Sequence, residues 1–227
     1  MNDFLIVSVK TDPQLDPDSI ILSGDLSSHN YNRKVNLYVG KSNRKIQVKA
    51  SSSRMNKNII FMNPSLIKKM FLTREKKYGI KLEQDEIHMG PVVGIIAPKQ
   101  GSKKRPYGSQ TLFFQELMAS SRKFGQICFA FYFSDIDWSK KNINGYYHDK
   151  SGWQQGKFPL PDVIYPRSKF YVSNKAESRR KLNQMGIKII NPSMVGKWEA
   201  HRLFKRNPEI APYLPETRLI NSFRQVE

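Results

Sequence analysis

Short strand-like stretches, two of them alternating apolar and polar positions with a period of two, mark the first eighty-nine residues, and then the rhythm changes. Residues 4–9 read as a strand. Residues 35–39 alternate cleanly as a half-exposed strand, and 45–49 return with Ile46 and Val48 on one face. The stretch 11–30, rich in Pro, Asp and Ser and without helix periodicity, reads as a connection. Residues 59–62 form a further strand. Asn63-Pro64 then supplies an N-cap and a proline suited to the first helical position, predicting a short helix over 65–72. Short strands at 80–82 and 86–88 complete a small, mostly β region.

From residue 90 the pattern is that of an α/β chain. Gly90-Pro91-Val92-Val93-Gly94-Ile95-Ile96-Ala97-Pro98 is a short β-branched run, the signature of a strand buried on both faces of a parallel sheet. A Gly- and Lys-rich loop over 101–109 follows. A helix over 109–124 comes next, with Leu112, Phe113, Leu117 and Phe124 on one face and Gly125 as its stop. Residues 127–133 predict a central strand, and 143–148 a hairpin arm, with Trp138 and Trp153 as anchors. Residues 158–161 predict a stiff proline-bounded connector and 162–165 the next strand. Asn174 with Glu177 makes a capping box for a helix to Met185 that ends at Gly186. Residues 187–190 are a strand, and Ser193 caps a last helix from 194 to about 206. The fold class is therefore α/β: a small mostly β N-terminal domain (1–89), an open, mainly parallel, Rossmann-like α/β domain (90–192), and a helix with a connector (193–227).

Composition narrows the function classes. A hydrophobic fraction of 39% with 11% aromatics is globular. No run of about eighteen apolar residues marks a membrane span, and no basic flank precedes a cleavable apolar core. The single cysteine, Cys128, sits in an apolar run and reads as a buried thiol in a reducing compartment, so a cytoplasmic protein is expected. Of the net charge of +19, an excess of eleven lies in residues 41–81, where twelve Lys/Arg face the lone Glu75. This block offers Lys41, Arg44, Lys45, Lys49, Arg54, Lys57, Lys68 and Lys69 to a polyanion. An acidic protein partner and nucleic acid fit the charge alike, although the block has few aromatics for base stacking (Phe61, Phe71, Tyr78) and no nucleic-acid motif.

Candidate chemistry is sparse. Val39-Gly40-Lys41-Ser42 contains the end of a phosphate-binding loop, but Val35 stands where that loop needs glycine, so a hairpin turn is expected. The 101–109 loop brings Lys103, Lys104, Arg105 and Ser109 near a helix N-terminus, a natural anion site, with a solvated surface loop as the alternative. Asp135, Asp137 and Asp149 do not match a calcium loop and are read as turn and capping residues. His29, His88, His148 and His201 lack zinc-ligand spacing, so no metal site is expected. No nucleophile–base arrangement supports covalent catalysis, and no catalytic residue is assigned.

Three stretches together carry a resemblance: Leu82 to Ala97, ending in Met89-Gly-Pro-Val-Val-Gly-Ile-Ile-Ala97; Trp153 to Arg167, containing Phe158-Pro-Leu-Pro-Asp-Val-Ile-Tyr-Pro-Arg167; and a last block. That block runs from Gly186-Ile-Lys-Ile-Ile-Asn-Pro192 through Gly196-Lys-Trp-Glu199 to Tyr213-Leu-Pro-Glu-Thr217. In this order they resemble the YheC/YheD family, endospore coat-associated proteins with an ATP-grasp domain. The resemblance covers roughly 35–227 and implies that 90–192 is a pre-ATP-grasp domain beside the substrate cleft, with the basic β region as an N-terminal appendage. It implies spore-coat association and ATP-dependent carboxylate–amine ligation in the complete family form, and an acidic coat protein would then be one polyanion to match the basic block. The nucleotide lysines and magnesium carboxylates of the family normally follow the Leu-Pro-Glu-Thr segment, whereas this sequence stops at Glu227. A non-catalytic portion is the expectation, whether natural truncation, degraded paralogue or expression fragment. ATP and Mg are then implied only for the complete architecture, and no cofactor for this chain. Pro166 stands where the family pattern leads one to expect Asn, leaving Arg167 as the anion contact, with a solvent-facing strand-end arginine as the alternative.

Overall fold

The structure, a computed structural model, describes residues 4–23, 26, 32–50, 58–73, 76–98, 101, 105–167, 175–190 and 196–220. Among the described residues before residue 90 there are seven strands: β1 (Phe4–Thr11), β2 (Ser19–Leu22), β3 (Lys34–Val39), β4 (Ser42–Ala50), β5 (Ile59–Met62), β6 (Lys77–Leu82) and β7 (Glu86–Met89). They close into a barrel in the order β1-β5-β2-β4-β3-β7-β6, with β6 returning to β1. Alternation sets which side chains point inward: Val35, Leu37 and Val39 of β3 and Ile46 and Val48 of β4 are all buried. The β3–β4 hairpin turns at Gly40-Lys41, as expected in place of a phosphate-binding loop. Helix α1 (Pro64–Lys69) follows β5; Asn63 caps it by accepting from the Ser65 N–H at 2.9 Å, and Leu66 and Ile67 enter the core. Strand β2 lies within the stretch expected to be only a connection. Its partners are remote, parallel β4 and antiparallel β5, so no local pattern announces it.

The second sheet comprises β8 (Val92–Ile96), β9 (Ile127–Phe131), β10 (Ile136–Asp137), β11 (Asn142–Asp149), β12 (Gly152–Pro159), β13 (Val163–Pro166) and β14 (Lys188–Ile189). Its order is β10-β11-β9-β8-β13-β14, with β12 paired to β11. Parallel pairing runs from β9 through β8 and β13 to β14. The β11–β12 hairpin adds an antiparallel half, so the sheet is mixed rather than mainly parallel. Phe158 and Pro159, expected in a connector, belong to β12 and pair with Ile143 and Asn142. The fold is mixed α/β with strands dominating.

Helix α2 (Thr111–Lys123) joins β8 to β9 and buries Thr111, Phe114 and Met118, a stripe shifted from the expected one. Leu112 is 67% and Phe124 60% exposed. The reason lies in the aromatic cluster beneath the helix, where Phe114 meets the buried Tyr107 edge-on at 5.1 Å. Helix α3 (Lys175–Gln184) joins β13 to β14, and its expected cap, Asn174, lies outside the described residues.

One core cluster contains barrel residues such as Val7 and Leu37 together with Phe129, Phe158 and Ile164 of the second sheet and Leu160 just after β12. Main-chain bonds also cross between the two sheets. The Lys41 N–H donates to the Leu160 carbonyl at 2.8 Å, and the Gly79 N–H to the Gly125 carbonyl at 2.8 Å.

Residues 191–227 form a separate compact unit. It contains α4 (Lys197–Lys205), N-capped at Gly196, and a 3₁₀ turn over Ala211–Tyr213. Met194 and the expected cap Ser193 lie outside the described residues. Trp198 stacks on His201 with ring centroids 5.7 Å apart. Among the described residues no helix is long and apolar enough to cross a membrane.

Candidate functional site

The carboxyl ends of β8 and β13 lie side by side, since Pro166 pairs with Ile96 and Tyr165 with Ile95. In an α/β sheet this edge is where ligands bind. Strand β8 gives way to the 101–109 loop, which re-enters a 3₁₀ turn over Gly108–Gln110 and then α2. Tyr107 anchors the loop. Its N–H donates to Thr111 Oγ1 at 3.1 Å, and its ring packs against Phe114, Trp153, Tyr132 and Tyr146. Burial pushes the Tyr107 phenol far above its usual pKa, so it stays protonated.

Arg167 stands at this edge as the first residue after β13, and its position is fixed from several sides. Its N–H donates to the Ile96 carbonyl at 2.7 Å and its Nε to Gln110 Oε1 at 3.0 Å. The guanidinium lies 5.2 Å from the centre of the Phe113 ring and 5.6 Å from that of Tyr165. Stacking and one bond at Nε orient the plane of the guanidinium at an exposed position, the arrangement that presents donors to a carboxylate or phosphate. Pro166 is accommodated because it ends the strand. Successive N–H groups alternate in direction, and that of Arg167 points to β8, so the donor that proline lacks would point towards β14.

Arg105 and Ser109 are exposed in the same loop, while Lys103 and Lys104 lie outside the described residues. Gln110 and Tyr165 are not site candidates in the sequence, and Phe113 is expected there only on the packed face of the helix. Their signal was position: two at the start of a predicted helix and one at the end of a predicted strand.

The basic block is divided among several surroundings. Lys41 approaches Asp162 at 3.8 Å and Arg44 approaches Asp18 at 3.9 Å. Lys45 and Lys49 point outward from β4, and Lys68 and Lys69 end α1. Arg54 and Lys57 lie outside the described residues. The aspartates take turn roles: Asp137 Oδ1 accepts from the Ser139 and Lys140 N–H groups, and Asp149 Oδ1 from that of Ser151.

Glu83, Glu86 and His88 bring possible ligand atoms within 4.8 Å of one another on the barrel. Lys81 is ion-paired with Glu83, however, and holds its carboxyl below the usual range. His88 Nε2 is 2.8 Å from Glu86, and the His88 ring stacks on Tyr38 at 4.7 Å. A group already neutralised by a lysine and containing an imidazole does not suit Mg, which takes oxygen ligands in octahedral geometry. This cluster therefore does not fit a magnesium–nucleotide complex.

A family model for YheC/D-like ATP-grasp proteins matches residues 186–227. The chain is also 28% identical over 174 residues to the endospore coat-associated protein YheD of Bacillus subtilis (strain 168), covering 74% of this chain and 38% of that protein. Both similarities are to the YheC/YheD family, the family that the sequence motifs resemble. The chain therefore spans well under half the length of this curated relative. No solved structure matches.

Proposed function

We propose that this chain is a non-catalytic, substrate-side portion of a YheC/D-like ATP-grasp protein associated with the spore coat. In this reading residues 90–192 serve as the pre-ATP-grasp domain, the barrel is its appendage, and the carboxyl edge receives an anionic group of the substrate. The observation that carries the reading is Arg167, held by Gln110 between Phe113 and Tyr165 at the end of β13. The groups gathered there are a guanidinium, an amide and a phenol, which hold an anion rather than transfer a phosphoryl group.

Two titrations on this chain test it. Calorimetry with Mg-ATP should show no binding in the micromolar range, and micromolar binding would overturn the non-catalytic assignment. Titration with sodium phosphate, followed by ¹⁵N NMR, should shift the Arg167 Nε and Ser109 signals. Unchanged signals at both positions would remove the anion site.

A further inference from the structure

At the amino end of β9, the opposite end of that strand from the carboxyl edge, a cavity of about 520 Å³ lies between the barrel and the second sheet. That volume is in the range of small-molecule sites, roughly 300–1,000 Å³. Its walls are largely ring and aliphatic surface from Phe71, Tyr78, Tyr147 and Phe158. The Tyr78 hydroxyl is occupied by Thr73, accepting from its N–H at 2.8 Å and donating to its carbonyl at 3.2 Å, so the ring alone is offered. Tyr147 and Phe158 meet edge-to-face at 6.0 Å and form a second apolar corner.

The charge around this apolar space is one-sided. Lys68, Lys76, Lys77, Arg122 and Lys157 line it, against Asp149 as the carboxylate among the described residues. Lys76 is the most exactingly placed: its ammonium rests on the Tyr147 ring, 4.9 Å from the centroid. Burial lowers its pKa, with the Asp149 charge pulling the other way. Arg122 is held alongside by donating from Nη1 to the His148 carbonyl at 2.5 Å.

We propose that this cavity is a binding site for an amphipathic organic anion, with a ring-sized apolar body against Tyr78, Tyr147 and Phe158 and an acidic group at Lys76. The ligand supplies apolar filling and, beside Asp149, a further acidic partner for Lys76 among the excess of cations. The site is independent of the carboxyl edge.

Fluorescence titration compares 1-anilinonaphthalene-8-sulfonate with the uncharged N-phenyl-1-naphthylamine on the folded chain. The sulfonate should bind saturably and about tenfold more tightly than the neutral amine, the worth of one charge-assisted contact. Lys76→Met should erase that preference while retaining binding of the amine, and Lys10→Met should leave it intact. Absence of saturable binding, equal affinity for both compounds, or a Lys76→Met protein that keeps the preference or loses both compounds would each overturn the proposal.

Discussion

Lys41 on the barrel and Asp162 at the start of the second sheet's β13 face each other, with ammonium nitrogen and carboxylate oxygen 3.8 Å apart. The other oxygen of Asp162 accepts from the Val92 N–H at 2.9 Å, so one carboxylate serves a barrel turn and the first strand of the second sheet. Both charged side chains are about one-third exposed, which weakens their mutual attraction. Asp162→Ala is expected to cost about 1–2 kcal/mol, mostly from the amide bond to a charged acceptor. Lys41→Met should cost less than about 0.5 kcal/mol. Urea unfolding followed by tryptophan fluorescence checks the difference, and equal losses would show that the ion pair dominates.

Gly125 has φ +68°, and a Cβ there would lie 2.3 Å from the Gly79 nitrogen at the crossing between barrel and sheet. Gly152 has φ +89° with nothing within 4 Å of such an atom. Gly152→Ala should therefore carry only backbone strain of about 1–2 kcal/mol. Gly125→Ala adds a main-chain clash and should cost about 3 kcal/mol or more. Paired melting temperatures test the ordering: Gly125→Ala should melt several degrees below Gly152→Ala, by roughly 2–4 °C for each kcal/mol between them.

Burial pushes the Cys128 thiol up to about 11, although Ser121 and Arg122 pull the other way. Against a free cysteine near ~8.5, its thiolate at pH 7.5 is scarcer by about two orders of magnitude. Iodoacetamide alkylation of the folded chain should be slower by a similar factor and should keep rising about tenfold per pH unit to roughly pH 10–11. The linkage sign follows from the raised value: this stabilising contribution is complete below about 8.5 and is lost as pH climbs towards 11. A labelling rate that levels off near pH 9 would refute the buried environment.

Phe113 is 38% exposed although it lies on a helix with a buried stripe, and its ring faces the Arg167 guanidinium instead. Phe113→Ala should change stability by under about 1 kcal/mol, because an exposed cation–π contact contributes little. Its effect should appear in Arg167 itself. The ¹⁵Nε order parameter should fall, and falls in Gln110→Ala would identify the second support. An unchanged order parameter in both variants would mean that neither residue positions the guanidinium.

Local patterns carried much of the architecture. The run Ile59–Met62 and the capping pair Asn63-Pro64 were legible because apolar continuity and cap chemistry act within a few residues. Strand β2 was not, since Ser19–Leu22 is short and is held by β4 and β5 from far along the chain. The stripe of α2 was misread because Phe113 and Phe124 are as apolar as Phe114, and only the cluster around Tyr107 decides which ring turns inward. Arg167 could be chosen from its place after a strand, but the Phe113 ring and the Gln110 amide that help orient it come from α2 and the turn before it. Lys76 was one lysine among many in the basic block. What distinguishes it is Tyr147, seventy-one residues later in sequence and 4.9 Å away in space.

The bonds from Lys41 to Leu160 and from Gly79 to Gly125 cross between the sheets at two places widely separated in sequence. A shortened chain beginning at Val92 would leave the carbonyls of Leu160 and Gly125 without their donors and expose the side of Phe158 and Leu160 that meets the barrel core. The barrel is then a structural wall of the α/β region rather than a detachable accessory. Any softening of the barrel would reach β9, β12 and β13, and with them the posture of Arg167.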